Sequence, residues 1–219
     1  NDVVMFALLN SPEFVFFYLA AHKIGAIACP VNYRQGSGEI ALVIDDSTPK
    51  VFVYDAEFGE LSSRALEMCE NGPAVELVVG ADAVLPAGRR RYEDYVFEQP
   101  ETDPPIDFAP HIYDETTRLY TSGTTNRPKG VPINNINEVL SAHDVMMHFP
   151  LSPVDRTMNM TPWFHRGGCV RASIAIMVGT PIRKEIAYFS AYSRQVRGAK
   201  SRRITTSPPA YSVGQGPPE

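Results

Sequence analysis

An apolar run over residues 3–9 opens the chain and stops at Asn10-Ser11-Pro12-Glu13. A run that short, bounded by turn formers, predicts a buried strand. Ser11 suits a helix N-cap, Pro12 the first helical position, and Glu13 the positive end of the helix dipole. Phe14, Phe17, Tyr18 and Ala21 then fall on one helical face, and Gly25 suits the stop. Residues 26–31 return as a strand. Strand, helix, strand predicts parallel pairing. The alternation continues with a helix over 39–46, a strand over 50–54, a helix over 62–70 and a strand over 75–79. Glu101, Asp103, Pro104, Pro105, Asp107 and Pro110 make residues 99–110 unsuited to a regular element. That segment is expected to connect a first α/β part, 1–98, to a second part, 111–219. The second part predicts a strand over 117–121, a polar loop, and a helix over 138–149 capped by Asn137 and stopped by Pro150. The expected class is α/β with a layered parallel sheet.

Composition narrows the function classes. The chain has 219 residues, 44% hydrophobic and 21% charged, enough to bury a real core. A net charge of -5 argues against nucleic acid, since phosphate neutralisation needs a basic face. Two basic clusters, Arg89-Arg90-Arg91 and Arg194 to Arg203, read as solvated. Cys29, Cys69 and Cys169 are widely spaced and contain no CxxC, so neither a disulfide framework nor a zinc site is expected. A reducing cytoplasm fits that usage. His143 and His148 stand five apart and do not share a helix face. The apolar run 15–21 ends at His22-Lys23, too short to span a bilayer. Oligomeric state, including a homodimer, stays open.

The densest chemistry lies between Leu119 and Val131. Thr121, Ser122, Thr124 and Thr125 offer short hydroxyls, Gly123 and Gly130 let backbone amides approach, and Lys129 brings a point charge. Successive amides in such a turn form a concavity for anions. The spacing is not that of the GxxxxGK[ST] loop, because Gly130 follows Lys129. Pro128 and Pro132 bar a helix from starting there, so a flap over phosphates is expected rather than a helix-dipole cradle. On composition alone, a polar surface turn and a phosphate cradle are equal alternatives.

The order of residues separates them. Thr121 to Gly130 resembles the signature loop of the adenylate-forming superfamily, which includes acyl-CoA synthetases, adenylation domains and luciferases. The family pattern is Thr-Ser-Gly-Thr-Thr-Gly-x-Pro-Lys-Gly, and Asn126 alone departs from it, standing in place of a glycine. Asn tolerates the left-handed backbone better than most residues. Three further stretches are similar to family motifs: residues 16–34 with Lys23, Gly25, Pro30 and Asn32; Pro162-Trp163-Phe164-His165-Arg166-Gly167-Gly168; and residues 203–209 ending in Pro208-Pro209. The resemblance implies an N-terminal, parallel-sheet domain of a ligase that activates a carboxylic acid with ATP and magnesium and passes the acyl group to coenzyme A. It implies Thr121, Ser122, Gly123, Thr124, Thr125 and Lys129 at the ATP phosphates, with Lys129 and His165 catalytic. It places Trp163, His165 and Gly167 beside the acyl substrate, although packing is the simpler role for Trp163. Asn134-Asn135-Ile136-Asn137 stands where the family usually carries a His. The family's later motifs, including its magnesium-binding Glu and late catalytic Lys, have no counterpart in the chain, so an incomplete N-terminal portion is expected. The metal ligand stays unassigned. Loading of a carrier protein, a luciferase-like oxygenase, and a non-catalytic nucleotide-binding fragment are the rival readings.

Overall fold

The computed structural model describes residues 2–80, 85, 87–106, 108–121, 127–149, 152 and 161–170. Ser122, Gly123, Thr124, Thr125, Asn126 and the stretch 203–209 lie outside the described residues.

The elements run β1 (Val3–Ala7), α1 (Pro12–Lys23), β2 (Ile27–Pro30), α2 (Ser37–Ser47), β3 (Val51–Asp55), α3 (Gly59–Met68), β4 (Val75–Val79), β5 (Arg89–Arg91), α4 (Tyr92–Phe97), β6 (Glu115–Thr121), β7 (Lys129–Asn134) and α5 (Asn135–His148). The strands form one sheet in the order β5-β4-β3-β1-β2-β6-β7. Every described neighbour pair is parallel except β6 with β7.

The first unit forms as its sequence predicts. Ser11 caps α1 by accepting from the Phe14 amide, and Pro12 takes the first helical position. Gly25 follows the helix at φ +71, the left-handed conformation that favours glycine there. β1 and β2 are short apolar runs covered on both faces, as parallel strands usually are.

The chain moves one way from β1 to β2 and back the other way from β2 to β3. Right-handed crossovers then put the connecting helices on opposite faces. Ile40, Val43 and Ile44 of α2 and Ala65 of α3 accordingly pack with Val3, Met5, Ala7, Phe52 and Tyr54 on one face. Phe14, Val15, Tyr18 and Ala21 of α1 pack with Phe6, Leu8, Val53 and Leu77 on the other.

Three of the differences from the sequence expectation have a clear physical cause. Arg89-Arg90-Arg91 is an edge strand, not a solvated loop. Arg89 reaches Glu76 on β4 at 2.9 Å and lies 6.0 Å from the Tyr54 ring centroid. Charged side chains on an edge strand block pairing with another chain. Residues 129–134 form β7, which the two prolines had masked. Pro132 is tolerated because β7 is an edge, where a missing N–H breaks no ladder. The cap of α5 is Asn134, whose side chain accepts from the Asn137 amide, so the helix starts three residues earlier than predicted.

Candidate functional site

The connection leaving β1 turns to one face of the sheet, and those leaving β2 and β3 turn to the other. Open parallel sheets bind ligands outside the carboxyl ends of the strands at such a reversal. Two sequence-singled segments meet that edge.

The first is the mouth of the β6–β7 hairpin. Phe6 pairs with Pro30 and Ala28 with Thr117. Continuing both registers brings Leu8, Asn32 and Thr121 level. Thr121 is therefore at the carboxyl edge, paired across the hairpin with Lys129, and both side chains are exposed. The flanks of the hairpin are fixed. Glu115 holds Arg118 through two bonds of 2.7 and 2.8 Å. The Tyr120 hydroxyl donates to Asp46 of α2, and burial followed by that bond pushes the phenol up from its usual range. Gly130 lets the Tyr120 ring lie close, since a Cβ there would stand 3.1 Å from its Cζ.

The second segment is the turn at 161–170. Asn10, just past β1, clamps it at two points. Its Nδ2 donates to the Thr161 carbonyl at 3.0 Å, and its Oδ1 accepts from the Trp163 amide at 2.9 Å. Trp163 is buried edge-on against Phe14, with centroids 5.5 Å apart. It packs in the core of the α1 face. Phe164 meets Tyr33 edge-on at 5.0 Å, and Tyr33 stacks on Phe58 at 4.5 Å. His165 is exposed, its ring tilted 4.5 Å from Phe164. Its carbonyl accepts from the Gly168 and Cys169 amides at 2.9 and 3.1 Å, starting the helical turn over 166–170. Of the two glycines, Gly167 faces open space, whereas a Cβ on Gly168 would stand 2.4 Å from the Pro162 carbonyl oxygen. The close-approach glycine is Gly168, one residue past the position singled out from sequence.

A buried polar chain joins the two segments beneath this edge. Glu138 of α5 accepts from the Tyr18 hydroxyl at 3.0 Å and from Arg166 Nη1 at 2.6 Å. Tyr18 accepts from Thr117 Oγ1 at 3.2 Å, and Thr117 lies 3.1 Å from His22 Nε2. A carboxylate only accepts, so the direction propagates. The Tyr18 hydroxyl donates to Glu138, the Thr117 hydroxyl donates to Tyr18, and Thr117 Oγ1 is left to accept from His22 Nε2–H. Burial raises the Tyr18 phenol well above its usual range, with Cys169 and Glu138 adding to the effect. Burial likewise pushes the Cys169 thiol up to about 12, and that thiol donates to the Trp163 carbonyl. Neither Asn10 nor this chain was legible as part of a site. The only local sign for Asn10 is its place between an apolar run and Ser11-Pro12.

Burial lowers the His22 pKa, while the Glu138 charge and the Thr116 carbonyl pull it back up. The unfolded chain thus binds this proton first as pH falls. The stability contributed by neutral His22 is complete above the ordinary histidine value near 6.5 and declines below it. Urea midpoints of the wild type and His22→Gln are expected to differ most at pH 8 and to converge toward pH 5. A gap that widens on acidification would overturn the assignment of a neutral, buried His22.

Among the described residues no three His, Cys, Asp or Glu side chains converge as a metal site. Among the same residues, no helix is long and apolar enough to cross a membrane.

The sequence profile of the family described as AMP-binding enzyme matches residues 1–185. A crotonobetaine/carnitine–CoA ligase of Escherichia coli is 31% identical over 184 residues, covering 82% of this chain and 35% of the ligase. The chain thus spans about a third of the length of the curated relatives it matches. Among solved structures, the N-terminal domain of FACL13 from Mycobacterium tuberculosis, with an inhibitor bound, superposes with a TM-score of 0.70 at 25% identity, over 82% of this chain and 43% of that one. The anthranilate CoA ligase AuaEII, in complex with anthranoyl-AMP, superposes with a TM-score of 0.72 at 24% identity, over 82% of this chain and 33% of that one. At that identity the second likeness concerns the fold.

Proposed function

The chain belongs to the AMP-binding enzyme family, and on that premise we propose that its full-length protein activates a carboxylic acid with ATP, forming an acyl-adenylate and pyrophosphate, and then transfers the acyl group to coenzyme A. The observation that carries this reading is the β6–β7 hairpin. It holds Thr121 and Lys129 opposite each other at the carboxyl edge of the sheet, with the hydroxyl-rich segment 122–126 joining them in sequence.

In this reading Thr121, Ser122, Gly123, Thr124, Thr125 and Lys129 receive the β and γ phosphates. Negative charge grows on the departing pyrophosphate as the carboxylate oxygen bonds to the α-phosphorus. A preorganised cation and aligned donors stabilise that charge most in the transition state. Magnesium bound by the phosphates would supply further charge neutralisation. His165 and the open space at Gly167 face the acyl side, and Trp163 supports the turn from below. The relative named for crotonobetaine and carnitine supports a carboxylic acid as the substrate class.

The test is ATP–pyrophosphate exchange by the full-length protein across a panel of carboxylic acids. The expected result is exchange with at least one acid, followed by AMP release when coenzyme A is added. Formation of ADP, or acyl transfer with AMP release only when a carrier protein replaces coenzyme A, would overturn the assignment.

A further inference from the structure

Arg166 belongs to the His165 motif and Glu138 to α5, so their ion pair joins the turn that carries His165 to the helix that follows the loop hairpin. Arg166 directly follows His165. Its Nη1 donates to Glu138, and its Nη2 donates to the Asn137 carbonyl at 2.9 Å and to Ser141 Oγ at 3.0 Å. Three acceptors on the first turns of α5 therefore fix the guanidinium in the plane that its fork requires. Asn10 fixes the other end of the turn at Thr161 and Trp163. His165 sits between the two clamps, so its backbone is held on both sides although its ring is exposed.

The carboxylate of Glu138 is tied in turn to β6 through Tyr18 and Thr117. β6 is the strand that delivers Thr121 to the hairpin mouth. α5 follows β7 without a break, so its first turn moves with Lys129's own strand. The turn bearing His165 is thereby referenced to the frame that carries the phosphate loop. A buried ion pair is weak evidence for stability, because well-packed apolar side chains would serve that purpose as well. What it supplies here is a fixed rotation and height of one turn relative to one helix.

We propose that Glu138 and Arg166 are positioning residues for the carboxylate side of the site, holding the 161–170 turn in register with the β6–β7 frame so that His165 meets the acid at a set distance from the phosphates. The proposal rests on the acid-activation reading given above.

The experiment uses full-length protein with Arg166→Met, Arg166→Lys and Glu138→Gln, and has two readouts. The first needs no activity. Iodoacetamide alkylation of Cys169 and Cys29 is followed by peptide mass spectrometry. Both thiols are buried, Cys169 against the turn and Cys29 within β2. In Arg166→Met, Cys169 is expected to react at least about tenfold faster while Cys29 stays protected, as a local opening of low free energy requires. The second readout is kinetic. The KM for the carboxylic acid should rise about ten- to a hundredfold with the KM for ATP changed less than about twofold, because a small misplacement at the reacting centre is enough. Arg166→Lys keeps one bond to Glu138 and should recover part of both effects. Glu138→Gln should match Arg166→Met in direction.

Equal exposure of Cys29 and Cys169 would mark a general loss of structure and overturn the proposal. So would a protected Cys169 in Arg166→Met, or equal shifts in both KM values. If the wild type shows no exchange with any acid, the acid-activation reading fails by itself, and the cysteine pattern still decides whether the pair holds the turn.

Discussion

Lys129→Ala in the full-length protein is expected to slow ATP–pyrophosphate exchange by about 10²–10³-fold, the usual loss when one preorganised charge-stabilising group is removed. The effect should fall on kcat and on kcat/KM for ATP alike, since the charge that Lys129 meets is greater in the transition state than in bound ATP. The KM for the carboxylic acid should stay near its wild-type value. Folding should be unaffected, because Lys129 is exposed at the end of an edge strand and is not among the buried core residues. Surface changes of this kind usually shift stability by less than about 0.5 kcal/mol. Lys129→Arg keeps the charge but replaces a point donor with a planar fork, so partial recovery is expected. Unchanged exchange in Lys129→Ala would remove the loop from the phosphate assignment. Lost exchange together with an altered unfolding midpoint would place Lys129 in the fold instead.

The parts of the fold that could be read from sequence are those whose causes are local. Ser11, Pro12 and Gly25 mark the ends of α1 within a dozen or so residues, and short apolar runs on either side give β1 and β2. β7 was hidden because Pro128 and Pro132 oppose both a helix and a central strand, and only an edge position makes Pro132 acceptable. β5 was hidden because three arginines look solvated until Glu76 and Tyr54 arrive from elsewhere in the chain. The same reason kept the buried chain out of view. Tyr18 and Glu138 are 120 positions apart, and Asn10 and Trp163 are 153 apart. Tyr18 reads as one more apolar-face residue of α1 and Glu138 as an ordinary first-turn acid. Their hydrogen bond needs the sheet to bring β6 beside β2. A motif could thus be compared with a family pattern, whereas the distant partners that hold its turn in place, Asn10 and Glu138, could not be read from sequence.

Gly168→Ala should collapse the His165 turn, while Gly167→Ala one position earlier should leave it intact. Both glycines lie in the helical turn over 166–170, and neither has a left-handed backbone among the described positive-φ glycines. Dihedral preference therefore does not separate them, and helix propensity would favour alanine at either site by up to about 1 kcal/mol. Contact separates them. A Cβ at 168 would lie 2.4 Å from the Pro162 carbonyl oxygen and 2.6 Å from Trp163 Cα, and both atoms are backbone. Backbone cannot rotate aside as a side chain can, so the segment 161–168 must open. That movement pulls Trp163 off Phe14 and strains both Asn10 bonds. It also breaks the Cys169 thiol's bond to the Trp163 carbonyl. Overpacking usually destabilises by about 1–3 kcal/mol, and the loss of a packed tryptophan adds to it. A total near 3 kcal/mol or above is expected, seen as a lowered urea midpoint with a raised KM for the acid. Gly167→Ala meets nothing within 4 Å. Its midpoint should equal the wild type's or exceed it slightly, so any change in acid KM there reports on the space beside the substrate and not on folding. If the two variants proved equally stable, the close approach of residue 168 to Pro162 would be wrong, and with it the height at which His165 is held.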